Sequence, residues 1–329
     1  MRQPRIKIAA EEAEAVYHCM SRSVNGERLF DDVAKEVLRR QFWQVADYCG
    51  VRIVTYTIMS NHFHLLVRVP QKTFVPDAEL LRRYAVLYPM QTRYQMARLE
   101  VIRQQLAADG PKAVAWRKRQ LALMGDVSQF MKLVKQRFST WFNRSHNRFG
   151  TLWAERFKSV LAEPEGQVPQ IMAAYIDLNC VRAALVRDPK EYRFCGYAEA
   201  VAGCLPAQKG LISIFGGADW PESQARYRQV LFGTGASPRE ARTSLSRDEL
   251  NKVIKEGGQL TLATLLRCRI RYFTDGAVLG SKAFVALQLS AYRRRTGKRK
   301  DTPPRPLPPL TLSWGNLNTL RGLRGRGIG

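Results

Sequence analysis

The sequence predicts an α+β fold that opens with a ferredoxin-like unit, and three observations predict it. The run Val16–Ser23, VYHCMSRS, has the length and composition of a strand. From about Asp31 to Tyr48 the apolar residues Val33, Val37, Leu38, Phe42 and Val45 recur at helical spacing. Two further apolar runs, VRIVTYTIM and HFHLLVRVP, are separated only by the turn-prone pair Ser60-Asn61. Strand, helix, strand, strand is how a ferredoxin-like unit begins. Asp31 or Asp32 is placed to cap the helix, and Cys49-Gly50 to stop it.

Residues 71–125 read as a helical, basic insertion broken by Pro76, Pro89 and Gly110-Pro111. A new helix is expected from Asp126 or Ser128 through FMKLVKQRFSTWFNR, and a strand near the end of TLWAERFKSVLAE. One helix is then expected over Val168–Leu185, with Pro169 in its first turn and Asp188-Pro189 closing it. Beyond residue 205 the register changes. Residues 205–295 read as a helical domain. Within it, 260–295 is compatible with a helix-turn-helix whose turn lies between Gly276 and Gly280, or with a plain helical cap ending in Arg293, Arg294 and Arg295. Residues 291–329 hold ten Lys or Arg against one Asp, a net +9, and 296–329 are rich in Pro, Gly and Arg. The expected organisation is therefore a first domain at 1–204, a helical domain at 205–295 and a disordered basic tail at 296–329.

Charge narrows the function. Fifty-three Lys and Arg against 28 Asp and Glu leave a net charge of +25 on 329 residues, with a sequence pI near 10.3. Such an excess concentrates polyanions, and nucleic acid is the usual one. The cysteines at 19, 49, 180, 195, 204 and 268 form no zinc-spaced pairs and read as reduced cytosolic thiols. The first 16 residues lack the apolar core of a secretory signal, and no apolar run is long enough to span a membrane.

The chemistry-bearing residues lie in two places. His62, Phe63 and His64 alternate on a predicted strand, so both imidazoles point to one face, ~7 Å apart, while Phe63 points into the core. Two imidazoles so placed can share a divalent ion, although a His-apolar-His triplet alone also fits ordinary surface histidines. In IMAAYIDLNCVRAALV, Tyr175 and Asn179 are one helical turn apart on one face. A phenol nucleophile and an amide oxygen ligand would fit that spacing, as would a core tyrosine beside a locally bonded Asn. Asp177 lies ~200° around the helix from Tyr175 and is a poorer ligand candidate.

Four ordered pieces carry a family resemblance: VYHCMSRSVNGERLFDD, YTIMSNHFHLLV, FSTWFNRSHNRFGTLWAERFKS and YIDLNCVRAALVRDPKEYRFCGY. Over residues 14–200 the chain resembles the REP-associated tyrosine transposases, a branch of the single-tyrosine HUH transposases. The resemblance implies a ferredoxin-like, RNA-recognition-motif-like nuclease domain with His62 and His64 on a central strand. It also implies Tyr175 as the catalytic nucleophile and Asn179 as the third metal ligand. Cys180 stands where the family usually has Pro, which would straighten the helix, and the 71–125 insertion is a larger departure.

The chemistry the resemblance implies is cleavage and rejoining of single-stranded DNA beside REP-type hairpins, through a 5′-phosphotyrosine. Mg²⁺ or Mn²⁺ would suit a set of imidazole, amide and phosphate oxygen ligands. DNA contacts are expected from Lys132, Lys135, Arg137, Arg144, Arg148, Arg156 and Lys158, with Tyr192 and Arg193 contributing. The implied setting is a bacterial cytoplasmic, nucleoid-associated monomer or dimer with no membrane partner. Two other readings share these residues: a domesticated DNA-binding protein that no longer cuts, and a replication initiator or relaxase of the wider HUH class.

Overall fold

In the computed structural model of this chain, residues 5–89, 92–233, 266, 272–275, 277–297, 304–307 and 317–320 are described. β1 (Ala15–Arg22) leads through a short 3-10 turn into α1 (Asp32–Cys49), then β2 (Arg52–Ile58) and β3 (His62–Val69). The insertion supplies α2 (Asp77–Leu87), α3 (Arg93–Ala107) and α4 (Pro111–Leu121), before α5 (Val127–Ser145) and β4 (Lys158–Ala162). These strands stand in the order β2-β3-β1-β4, every neighbouring pair antiparallel. With α1 and α5 as its two crossover helices, this is the ferredoxin-like arrangement the sequence predicts. Caps fix where the two helices begin: Asp31 accepts from Ala34 N at 2.7 Å, and Asp126 accepts from Ser128 N at 2.7 Å and Gln129 N at 3.0 Å.

Strand alternation divides the side chains between two cores. Tyr17, Cys19, Phe63, Leu65 and Val67 pack with α1, α5 and the insertion. Val16, Leu66, Val160 and Ala162 pack on the opposite face with α6 (Gln167–Asp177), α8 (Gly196–Val201) and α9 (Leu205–Phe215). Phe63 is fully buried, edge-on to Phe42 at 5.1 Å and Trp153 at 5.6 Å. Burying such a ring stabilises by roughly 1.5–3 kcal/mol, and a one-residue slip of β3 would forfeit it. Phe63 therefore locks the register that sends His62 and His64 to the other face.

The helix predicted over 168–185 is shorter and interrupted. α6 ends at Asp177, Leu178 departs from helical geometry (φ −72°, ψ 2°), and α7 covers only Asn179–Arg182. Ala184 turns left-handed at φ 56°, and Leu185 N donates to Cys180 O at 3.0 Å, closing the end as a Schellman-type stop. A Cys in place of Pro thus does not straighten this helix. Its thiol donates to Asp177 O at 3.2 Å across the interruption.

Past residue 204 the chain keeps building on the same sheet. α9 lies against β2 so closely that a Cβ on Gly210 would meet Ile53 O at 2.4 Å and Val54 O at 2.8 Å. After α10 (Trp220–Phe232) and α11 (Tyr272–Asp275), β5 (Val278–Ser281) runs parallel to β4, and β7 (Leu317–Thr319) and β6 (Arg305–Pro306) extend that edge. The turn expected between Gly276 and Gly280 is therefore a strand. Gly280 is needed because a Cβ there would strike Glu163 at 2.9 Å, while Glu163 accepts from Ser281 N at 2.7 Å and Ser281 Oγ at 2.9 Å. The expected second helix does form, as α12 (Lys282–Thr296), capped by Ser281. Residues 260–265, 267–271 and Gly276 of the expected helix-turn-helix lie outside the described residues. Two short pieces of the expected disordered tail are strands, because Leu307, Leu317 and Leu320 are buried in a segment whose composition is otherwise Pro-, Gly- and Arg-rich.

Candidate active site

Four elements bring the site together on the α6 face of the sheet. β3 contributes His62 and His64, β1 contributes His18, and α6 and α7 contribute Tyr175 and Asn179. The His62 and His64 rings are edge-on with centroids 5.2 Å apart. Asn179 Nδ2 lies 3.2 Å from His62 Nε2. The Tyr175 ring stands edge-on to His64 at 6.4 Å and to His18 at 6.3 Å. The residues that the sequence selects from separate motifs, His62, His64, Tyr175 and Asn179, are thus spatial neighbours.

Tyr175 is held by its ring. Phe273 of α11 packs on it at 4.7 Å, and the Arg182 guanidinium stands over its face at 4.1 Å. The residue is 4 % exposed, yet among the described residues its hydroxyl forms no hydrogen bond, and it is not one of the sealed, unpartnered polar atoms. Arg182 donates to Tyr175 O and to Leu266 O, each at 2.7 Å, so the cation over the ring is fixed by backbone carbonyls. In the single helix that the sequence predicts, Arg182 would stand seven residues after Tyr175 and so near the same face, a spacing that could have drawn attention to it.

Burial sets the electrostatics. Desolvation lowers His64 well below the usual imidazole range, helped by the neighbouring His18 and His62. It lowers His18 to about 4, with Arg182 adding to the effect. Both rings are neutral at physiological pH. Asp177, two residues from Tyr175, faces away: it is fully buried and accepts from Thr55 Oγ1 at 2.7 Å, from Cys195 Sγ at 3.2 Å and from Tyr227. Burial raises its carboxyl to about 6. It braces α6 against β2 and α10.

Among the described residues, no group of three His, Cys, Asp or Glu side chains is arranged to hold a metal ion. The side chains that could hold one are mixed: the imidazoles of His62 and His64, with the Asn179 amide 3.2 Å from His62 Nε2.

The basic residues divide. Lys132, Arg144 and Arg156 are exposed and make no ion pair among the described residues. Lys135 instead lies over the Trp153 ring at 5.2 Å and donates to Glu155 O at 2.7 Å, and burial lowers its ammonium to about 8. Arg137 turns inward to Leu87 O at 3.0 Å. Arg148 pairs with Glu27 at 3.7 Å and Lys158 with Glu155 at 3.2 Å. Tyr192 donates to Ile58 O at 2.8 Å, and Arg193 pairs with Glu36 at 3.2 Å. Among these basic residues lies an aromatic whose exposure only the structure shows: Phe149, 94 % exposed, in the segment between Arg144 and Arg156. That segment is tied to the site's edge, since Val24 N donates to Leu152 O and Ser23 N to Asn61 O, both at 2.9 Å.

Comparison with known proteins bears on the part of the chain that carries His18, His62 and His64. Residues 12–79 match the transposase IS200-like family. The IS200-like segment spans β1 to the start of α2 and so contains the two-histidine strand but not Tyr175. A solved structure described as a REP-associated tyrosine transposase bound to a REP hairpin is similar at 13 % identity and a TM-score of 0.36, covering 62 % of this chain and 87 % of that one. No curated protein matches. No helix among the described residues is long and apolar enough to cross a membrane.

Proposed function

We propose that this chain is a transposase-like DNA strand-cleaving and strand-transferring enzyme that uses Tyr175 as its nucleophile. The observation that carries the reading is the meeting of Tyr175 and Asn179 with His62 and His64 at one site; the IS200-like match of residues 12–79 supports it. The Tyr175 oxygen attacks a phosphodiester, the bond to the 3′-oxygen breaks, and a 5′-phosphotyrosine remains. The proton lost from the phenol is balanced by the one gained on the 3′-oxygen. The bond energy stays in the phosphotyrosine, so rejoining needs no nucleotide. Arg182 holds the ring at a fixed angle and places positive charge beside the incoming phosphate.

His62, His64 and Asn179 would hold Mg²⁺ or Mn²⁺, which when bound polarises the scissile phosphate. The neutral state of His64 leaves it a lone pair for that role. Single-stranded DNA with a REP-like hairpin is the proposed substrate. Its backbone would be met by Lys132, Arg144 and Arg156, and a splayed base by Phe149. The test is incubation of the protein with labelled single-stranded oligonucleotides carrying an imperfect hairpin, with Mg²⁺ or Mn²⁺, followed by a denaturing gel. A covalent protein–DNA band that disappears in excess EDTA is expected. Binding without any such band would identify a DNA-binding protein that does not cut.

A further inference from the structure

Two hydrogen-bond chains run into the site from backbone carbonyls, and a carbonyl can only accept. In the first, Phe273 O lies 2.7 Å from His18 Nδ1, and His18 Nε2 lies 2.8 Å from His64 Nδ1. The carbonyl requires the proton of His18 on Nδ1. In a neutral ring Nε2 then carries the lone pair, so the shared bond must be donated by His64 Nδ1–H. His64 is left with its lone pair on Nε2. In the second chain, Asn61 Nδ2 donates to Gly26 O at 2.9 Å, which orients the amide. Asn61 Oδ1 therefore faces His62 Nδ1 at 2.6 Å and accepts from it, leaving the His62 lone pair on Nε2. That Nε2 accepts from Asn179 Nδ2 at 3.2 Å, as a lone pair there requires.

We propose that His18 and Asn61 are positioning residues that lock His64 and His62 as Nδ1–H tautomers, so that both present Nε2 to a divalent cation. The proposal rests on the metal-site reading above and adds two residues to it. Outer partners of this kind fix both the tautomer and the ring orientation of a metal-binding imidazole. Packing supports the role of His18: its ring stacks on His64 with centroids 5.0 Å apart and an interplanar angle of 25°, so it fixes the plane as well as the proton. The two chains are independent. One comes from the loop before α1, the other from α11 near the C-terminal end, and they meet on adjacent residues of one strand face.

The experiment has a metal-free arm and a metal arm. Two-bond ¹H–¹⁵N spectra of the metal-free protein report the imidazole tautomers directly, with His62 and His64 assigned by single substitution. Nδ1–H is expected for both, and Nε2–H at either would overturn the assignment for that residue. In the second arm, Mn²⁺ alone is titrated and the free ion followed by electron paramagnetic resonance. His18→Leu and Asn61→Ala are expected to weaken Mn²⁺ binding ~10–100-fold. His18→Gln, whose amide oxygen can accept from His64 Nδ1–H, is expected to recover most of the loss, which a purely structural role would not predict. If the wild type binds Mn²⁺ and His18→Leu binds it equally well, the positioning role fails while the metal site stands. If the wild type binds no Mn²⁺, the metal-site reading itself fails. Should His18→Leu not fold, the wild-type tautomers and the affinity of His18→Gln still decide.

Discussion

Replacing Tyr175 by Phe separates chemistry from structure at one atom. The hydroxyl has no hydrogen-bond partner among the described residues, so its removal breaks no internal bond. The ring contacts to His18, His64, Phe273 and Arg182, at 6.3, 6.4, 4.7 and 4.1 Å, do not involve the oxygen. The expected stability change is within about 0.5 kcal/mol, the range of substitutions that disturb no packed feature. At about 2–4 °C per kcal/mol for a chain approaching this size, the melting temperature should move by no more than about 2 °C. Tyr175→Ala deletes the ring and opens a cavity, at a cost of about 3–5 kcal/mol and a fall of at least about 6 °C. DNA affinity of the Phe variant should stay within about threefold of wild type, since 0.5 kcal/mol is little more than a factor of two. Its covalent band on a denaturing gel should vanish. A persistent band in Tyr175→Phe would place the nucleophile on another residue. A melting temperature as low as that of the Ala variant would show that the hydroxyl is a structural group, and the argument from its missing hydrogen-bond partner would fail.

His62→Ala and His64→Ala should each lower metal-dependent covalent attachment at least ~100-fold, since losing a ligand costs no less than losing an outer partner; full cleavage by either, or by wild type in EDTA, contradicts the site. Phe149→Ala should weaken single-stranded DNA binding by about 1–3 kcal/mol with Phe149→Trp near wild type, as base stacking requires; equal affinity of the Ala variant in a fluorescence titration would make the exposed ring a bystander. Lys135, lowered by burial to about 8, carries a desolvation penalty while charged that fades as pH rises from about 8 toward its ordinary range. Between pH 8 and 10 wild type should therefore gain stability relative to Lys135→Met, read from urea midpoints, and parallel pH profiles would mean that the ammonium is solvated. Truncation after Gly297 removes β6 and β7 together with basic charge, so it should lower the melting temperature and flatten the salt dependence of DNA binding, by ~0.7 in slope for each phosphate no longer neutralised; an unchanged slope would place the tail's charges away from DNA.

Most of the fold was legible because its elements announce themselves locally. The caps Asp31 and Asp126, the stop at Cys49-Gly50 and the Ser60-Asn61 turn each act within a few residues, and strand parity alone assigns Phe63 to the core and its flanking histidines to the other face. The failures lie where distant segments decide. Val278–Ser281 reads as the end of a turn until β4 is present to pair with it, and Leu317 looks like a stray apolar residue in a basic tail until β5 supplies the edge. Composition averaged over 296–329 conceals such anchors, because three buried leucines hardly change the mean of a Pro- and Arg-rich segment.

The site divides along the same line. Spacing within one element pairs His62 with His64 and Tyr175 with Asn179, and those pairs needed only the periods of strand and helix. What joins the pairs is register between elements, which no spacing encodes. β1 pairs with β3 so that Met20 faces His64 and His18 faces Leu66. On an antiparallel pair a residue two positions along the partner strand is a diagonal neighbour on the same face. His18 therefore reaches His64 only in this register; a shift by one would send it to the α1 face, among Tyr17 and Cys19. In sequence it is merely a lone histidine in VYHCMSRS, with no motif to distinguish it. Asn61 is hidden differently, as a turn residue whose backbone role accounts for its presence while its amide hydrogen-bonds the histidine beside it. The candidate residues of this site can thus be read from motifs, whereas the side chains hydrogen-bonded to them, His18 and Asn61, emerge only when the sheet is assembled.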